Sequence, residues 1–290
     1  MSKKQVKLFP PLRGVYVDLS KVPDPVFAEK MVGDGFAIDP LENVLYSPID
    51  GKIKSIHRAK HAITLESESG FDILIHIGLE TVSLGGKGFD VKVKEGQLVK
   101  VGDKLTEFDM DYIAGNVVAL ITPVLVTDME EKQISIDILP HGVVTDLNQA
   151  IMLVTLGGEK AAQLADTSVA PVVASLESEL ITIPNTHGIH ARPAAQLNAI
   201  ARKYPNNEIL MLKGEQSANV KSVVSLLSLS VQYQDQIKIL VKGDNATAII
   251  DEIKNSLIAM HDDANETPTP AAKALTNVES KVENGKYHGV

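Results

Sequence analysis

The chain has 290 residues, 44% of them hydrophobic, enough for two domains of ordinary size with cores of their own. A net charge of −9, no tryptophan and only 4% aromatic residues argue against a surface for nucleic acid or for an anionic membrane. The absence of cysteine excludes disulfides and thiolate metal ligands; Met1-Ser2-Lys3-Lys4 lacks the apolar core of a signal peptide, and no run of about 18 apolar residues spans a membrane, so the chain is expected in the cytoplasm with no membrane insertion.

Residues 1–156 read as all-β. Short apolar runs alternate with turn signals at Pro48-Ile49-Asp50-Gly51, Ser69-Gly70, Gly85-Gly86 and Val101-Gly102-Asp103, the pattern of a sandwich or barrel. Helical turns are expected only near Pro25 to Lys30 and Met129 to Lys132. His61 to Leu65 reads as a strand. Phe71, Ile73, Ile75 and Ile77 then alternate with Asp72, Leu74, His76 and Gly78, a strand with one strongly apolar face. A two- or four-residue turn between these strands sets Glu66 opposite Phe71 and His61 opposite His76, whereas a three- or five-residue loop makes the histidine pair diagonal. Two facing imidazoles suit half a metal site, a phosphoryl acceptor with a supporting histidine, or a structural pair. Phe36-Ala37-Ile38 and Val82 are expected to ring the pair with apolar surface, with Glu80 and Asp34 as acidic contacts at its edge. The competing reading is a metal-binding regulatory module or a two-histidine metallohydrolase. It needs a third ligand, such as Glu80, and no metal motif at tight spacing is present.

The segments Asp24-Pro25-Val26-Phe27-Ala28-Glu29-Lys30-Met31-Val32-Gly33-Asp34-Gly35, His61-Ala62-Ile63-Thr64-Leu65-Glu66-Ser67 and Ile75-His76-Ile77-Gly78-Leu79-Glu80-Thr81-Val82 resemble the glucose-type enzyme IIA of the sugar phosphotransferase system. That resemblance covers nearly all of residues 1–156. It implies a cytoplasmic β-sandwich in which His76 carries a phosphoryl group and His61 is its partner histidine. Glu95 to Leu105 is also like the half-motif of biotinyl and lipoyl carriers. Such a carrier needs a modifiable lysine at a hairpin tip, and Glu107-Phe108-Asp109-Met110-Asp111 supplies none.

Residues 157–176 are rich in Gly, Ala, Ser and Val and read as a linker. Residues 177–262 alternate elements. A strand at Leu180 to Ile183 leads to a helix with apolar positions Ala194, Leu197, Ile200 and Ala201 and with Pro193 in its first turn. Strands follow at Ile209 to Leu212 and Gln216 to Ala218, an amphipathic segment at Ser222 to Leu229, and a strand at Gln236 to Val241. A last helix, Asn245 to Ala259, carries the stripe Ile249, Ile250, Ile253 and Leu257 and is capped by Asp244 or Asn245. The order βαββαβα predicts an α+β open-faced sandwich with its helices on one face of an antiparallel sheet. His190 falls at the mouth of the first helix, two residues before Arg192. Free N–H groups and the positive end of the helix dipole make that mouth an anion site, so a histidine there can carry a phosphoryl group whose charge the helix end and Arg192 offset.

The string Gly188-Ile189-His190-Ala191-Arg192-Pro193-Ala194-Ala195 closely resembles the phosphorylation-site segment of HPr, the histidine-containing phosphocarrier of the same system, and the likeness runs from roughly Glu177 to His261. It implies that His190 is phosphorylated on a ring nitrogen and that Arg192 helps hold the phosphate. The two resemblances together imply a relay from enzyme I to His190, to His76 and on to enzyme IIB of a IIB/IIC sugar permease. Phosphoenolpyruvate is the ultimate donor, glucose or N-acetylglucosamine the implied sugar, and no metal or other cofactor is required. Ser222 reads as a helix-start serine; in some HPr relatives the matching serine is a regulatory phosphorylation site. His187 reads as a loop residue beside His190, and His57, His141, His261 and His288 receive no role. Residues 263–290 are polar and Pro/Ala-rich, expected to be a disordered linker leading to an enzyme I domain.

Overall fold

The computed structural model describes residues 4–139, 142–157 and 175–260, so most of the expected linker and all of the expected C-terminal tail lie outside the described residues. The first domain is built on an eight-stranded antiparallel sheet. Its strands run, edge to edge, Val143–Val144, Gly14–Asp18, Asp34–Pro40, Thr122–Val126, Asp72–His76, Ala62–Ser67, Gly51–Ile56 and Leu98–Val99. Two three-stranded antiparallel sheets accompany it. One orders Lys4–Leu8, Met152–Leu156 and Ile134–Ile138; the other orders Val44–Tyr46, Lys104–Phe108 and Phe89–Val91.

Strand alternation sorts the residues of the large sheet. Ile63, Leu65, Ile73, Ile75, Ile77, Val124 and Val126 fill the interior of the first domain. Their neighbours Ala37, Ala62, Leu74 and Leu125 point the other way and join the apolar cluster of the second domain. Central strands covered on both faces therefore carry apolar residues on both, as at Ala62 and Ile63 or Ile73 and Leu74. The same period of two corrects one expectation. Phe36 and Ile38 lie fully buried in the sandwich, and of that triplet Ala37 alone faces the histidines' side of the sheet.

Short helices sit at the ends of strands. Helix α1 (Pro25–Ala28) is capped by Asp24, whose Oδ1 accepts the Val26 amide at 2.9 Å. Helix α2 (Met110–Ala114) is capped by Asp109, which accepts the Tyr112 amide at 2.9 Å. The sequence does not announce α2, because five residues are too few to show a helical period. Met129 to Lys132 forms a turn, as expected, in which the Lys132 amide bonds the Asp128 carbonyl at 3.1 Å.

The second domain has an antiparallel sheet in which Ser175–Glu177 and Ile181–Thr182 both pair with Gln236–Lys242, followed by Glu208–Lys213 and Gln216–Asn219. The expected single first strand is thus two pieces. The first piece begins inside the expected linker, where Leu176 pairs opposite Val241 and satisfies that strand's outer edge. Helices α3 (Ala191–Arg202), α4 (Val223–Ser228) and α5 (Ala246–Ala259) complete the order. Helix α5 buries Ile249, Ile250, Ile253 and Leu257, each worth about 1.5–3 kcal/mol on removal from water. Ser222 is the N-cap of α4, its Oγ accepting the Ser225 amide at 3.2 Å. Asn245 holds the N-cap position of α5 with φ 58° and no side-chain bond, a left-handed conformation that asparagine tolerates.

Candidate functional site

His76 ends its strand. Two residues on, Gly78 has φ 69°, and a Cβ there would meet Thr81 Cγ2 at 2.8 Å and the Ala119 carbonyl at 3.1 Å. The sharp turn brings the Gly78 carbonyl within 2.8 Å of His76 Nδ1. A carbonyl only accepts, so Nδ1 carries the proton and the Nε2 lone pair is free. The ring is buried in an edge-to-face contact with Phe27, 5.2 Å between ring centres. Burial holds its pKa below the usual histidine range, against the upward pull of the Gly78 bond and of Asp24.

The register between the two histidine strands is one residue away from the facing pair. Ala62, not His61, stands opposite His76. The loop closes through Ser67 N–H to the Phe71 carbonyl at 2.8 Å, with Gly70 at φ 84°, so three residues turn the chain rather than two or four. The rings still meet, 4.6 Å apart between centres and 68° between planes. His61 lies just before the regular strand, after Lys60 at φ 58°, and the pleat does not dictate its direction. A third ring, His57, lies against it, 4.5 Å between centres and tilted by 60°. Burial first, then the other histidines, pushes His61 well below the usual range and His57 down to about 4.

His190 is presented by a tight loop. The Gly188 amide bonds the Asn185 carbonyl at 2.9 Å, Gly188 takes φ 65°, and Ile189 N–H bonds the Val231 carbonyl at 2.9 Å. His190 occupies the N-cap position of α3, where its carbonyl accepts the Ala194 amide at 3.0 Å and its ring makes no cap bond. Burial pushes the ring down to about 3, and His187, His76 and Arg192 add to that.

The two domains bring these histidines together. His76 and His190 line one pocket of about 20 Å³, shared with Asp24, Phe27, Glu80, Val82 and Arg192. Arg192 Nη2 lies 2.7 Å from Glu80 Oε1 and 3.5 Å from Asp24 Oδ2. Around this centre Ser222 Oγ donates to Asp128 Oδ2 at 2.9 Å, Arg202 pairs with Glu130 at 3.0 Å, and Arg58 bonds Gln232. His57, His61 and His76 line a second small pocket with Ala191 and Leu227 of the other domain.

All four expected site residues, His61, His76, His190 and Arg192, therefore converge. Glu80 takes the acidic edge position and Val82 the apolar one expected of them, but Asp34 bonds Lys30 at 2.8 Å instead, and Asp24 fills its place. Asp24 and His57 went unassigned in the sequence. The cue for His57 was its position four residues before His61, across a short Arg-Ala-Lys turn. His187 is exposed, its ring 6.5 Å from that of His190. His141, His261 and His288 lie outside the described residues. Among the described residues no group of three or more His, Asp or Glu side chains is arranged to hold a metal ion, and Glu80 is engaged with Arg192, so the metal reading has no ligand set to stand on.

Residues 6–132 match the family described as phosphoenolpyruvate-dependent sugar phosphotransferase system, EIIA 1, and residues 177–258 match the PTS HPr component phosphorylation site. The PTS system glucose-specific EIIA component of Staphylococcus epidermidis is 45% identical over 130 residues, covering 45% of this chain and 78% of that protein. Its counterpart in Staphylococcus aureus is 40% identical over 154 residues, 53% of this chain and 92% of that one. The solved structure of glucose permease IIA from Mycoplasma capricolum is 37% identical, covers 52% of this chain and 96% of that one, and has a TM-score of 0.49. The chain belongs to the EIIA 1 family of the phosphoenolpyruvate-dependent sugar phosphotransferase system, with an HPr phosphorylation-site domain behind it in the same polypeptide.

Proposed function

We propose that this phosphotransferase component relays a phosphoryl group from His190 to His76 within one chain. The observation that carries the reading is the pocket both histidines line, with Arg192 bridging Asp24 and Glu80 at its wall. The bond from phosphorus to the His190 ring breaks as a new one forms to Nε2 of His76. In such an in-line transfer the protein mainly positions the groups and offsets charge. His76 is suited to accept: burial keeps it neutral and its Nδ1 proton is held by the Gly78 carbonyl. Arg192 and the N-terminus of α3 offset the phosphate on His190, and His61 supports it on His76, so the step needs no metal.

The donor to His190 in this reading is phosphorylated enzyme I, charged by phosphoenolpyruvate. The acceptor beyond His76 is enzyme IIB of a IIB/IIC sugar permease. The names of the staphylococcal relatives favour glucose, with N-acetylglucosamine the related choice. A cytoplasmic location fits these partners, and among the described residues no helix is long and apolar enough to cross a membrane. The test is intact mass after incubation with phosphoenolpyruvate and enzyme I. The wild-type chain should gain two acid-labile phosphoryl groups, His76→Ala one, and His190→Ala none. Normal loading of His76 in the His190→Ala protein, without added HPr, would overturn the order.

A further inference from the structure

We infer that His57 is a positioning residue: its Nε2–H is the donor that fixes His61 in the Nε2–H tautomer, the form able to donate to a phosphoryl group on His76. The inference rests on the proposed roles of His61 and His76.

His57 and His61 stand at the two ends of one tight turn, closed by His57 N–H to the Ala62 carbonyl at 2.9 Å and Lys60 N–H to the His57 carbonyl at 2.6 Å. The Ala59 amide, inside the turn, donates to His57 Nδ1 at 3.1 Å. That nitrogen is therefore unprotonated, and the proton of the neutral ring sits on Nε2. Burial keeps the ring neutral near pH 7, its pKa being about 4. His57 is thus a neutral donor with its N–H uncommitted by that bond.

His61 presents the complementary need. It is 1% exposed, and its Nδ1 is buried without a hydrogen-bond partner. A buried polar atom without a partner leaves its loss of water uncompensated and calls for an explanation. Two neighbours compete for the ring. The Ala59 carbonyl favours a proton on it. Were that proton on Nδ1, the neutral ring would turn a bare Nε2 lone pair towards a phosphate. His57, 4.5 Å away and tilted by 60°, offers a proton instead. The inferred bond forms when rotation about χ2 turns the His57 Nε2–H towards His61 Nδ1, the two ring centres being 4.5 Å apart. With Nδ1 accepting from His57, the His61 proton must lie on Nε2.

The test uses the full chain labelled with ¹⁵N-histidine, in which long-range ¹H–¹⁵N spectra read each ring's tautomer. Wild-type His61 should be protonated on Nε2 alone. His57→Phe keeps an aromatic ring but removes the donor, so the His61 proton should move to Nδ1 and transfer from His76 to enzyme IIB should slow about tenfold. His57→Gln restores an N–H donor and should recover both. Packing alone would move neither the tautomer nor its rescue by glutamine. An unchanged His61 tautomer in His57→Phe overturns the inference. Should that variant lose the His76 Nδ1–H signal and with it the local fold, the wild-type spectrum decides, since a proton on His61 Nδ1 there is equally fatal. Peptide mapping of the phosphate tests the underlying site separately: its absence from wild-type His76 removes the proposed function, whereas phosphate on His76 with an unchanged tautomer removes this inference alone.

Discussion

Arg192 shows how one side chain can belong to two sites. It stands in the first turn of α3 beside His190, yet its guanidinium is held by Glu80 and Asp24 of the other domain. The Glu80 carboxylate is 43% exposed, so water screens much of the attraction, and the Arg192–Glu80 coupling should be about 0.5–1 kcal/mol. A double-mutant cycle of Arg192→Gln and Glu80→Gln, read as the rate of transfer from His190 to His76, checks this. Additive effects would show that the pair does not act across the interface. At this scale the sequence was informative where chemistry is local. His190 and Arg192 share one helix start, and His76 shares a strand with its core residues. Asp24 and His57 were not legible, because their roles depend on which distant segments fold beside them.

At the scale of elements, the site depends on turns whose backbone only glycine adopts easily. Gly188 lies at φ 65° with its Cα hydrogens against the Val231 backbone; a Cβ would come within 2.2 Å of the Val231 carbonyl oxygen. Gly188→Ala should therefore cost about 1–3 kcal/mol and displace the loop that presents His190. A lowered melting temperature together with slower loading of His190, while His76 still accepts from added HPr, is the expected pattern. Unaltered melting would show that the loop yields without strain. The one-residue error in the histidine register has the same origin. Alternation identified both strands and their faces, but loop length set the pairing, and Gly70 in its positive-φ turn allowed three residues where the pattern also fitted two or four. Helix α2 is too short to show a period, whereas the stripe Ile249, Ile250, Ile253 and Leu257 makes α5 legible.

At the scale of the whole molecule, packing of the two domains should respond to acid. His190 is pushed down to about 3, first by burial, and exposure on separation moves it back towards the ordinary histidine value. Between those values the separated form binds more protons, so the packed form is at full strength above about pH 6.5 and loses about 1.4 kcal/mol for each unit below it. His57, lowered to about 4, acts with the same sign wherever the partner domain contributes to its burial. Asp128, raised by burial beside Ser222, acts in the opposite direction but is a single carboxylate. Small-angle scattering should show the radius of gyration rising between about pH 7.5 and about 5.5, with a smaller rise in His190→Ala. A constant radius across that range would refute the coupling. The shared pocket has a further, kinetic consequence. In the proposed relay one His190 ring both receives and hands on the phosphoryl group, and here that ring stands in the pocket with His76, so reloading and hand-over exclude one another in time. Raising the donor concentration can then accelerate the cycle only up to the rate at which the halves part, and the relay acquires a maximum throughput fixed by an internal motion rather than by supply.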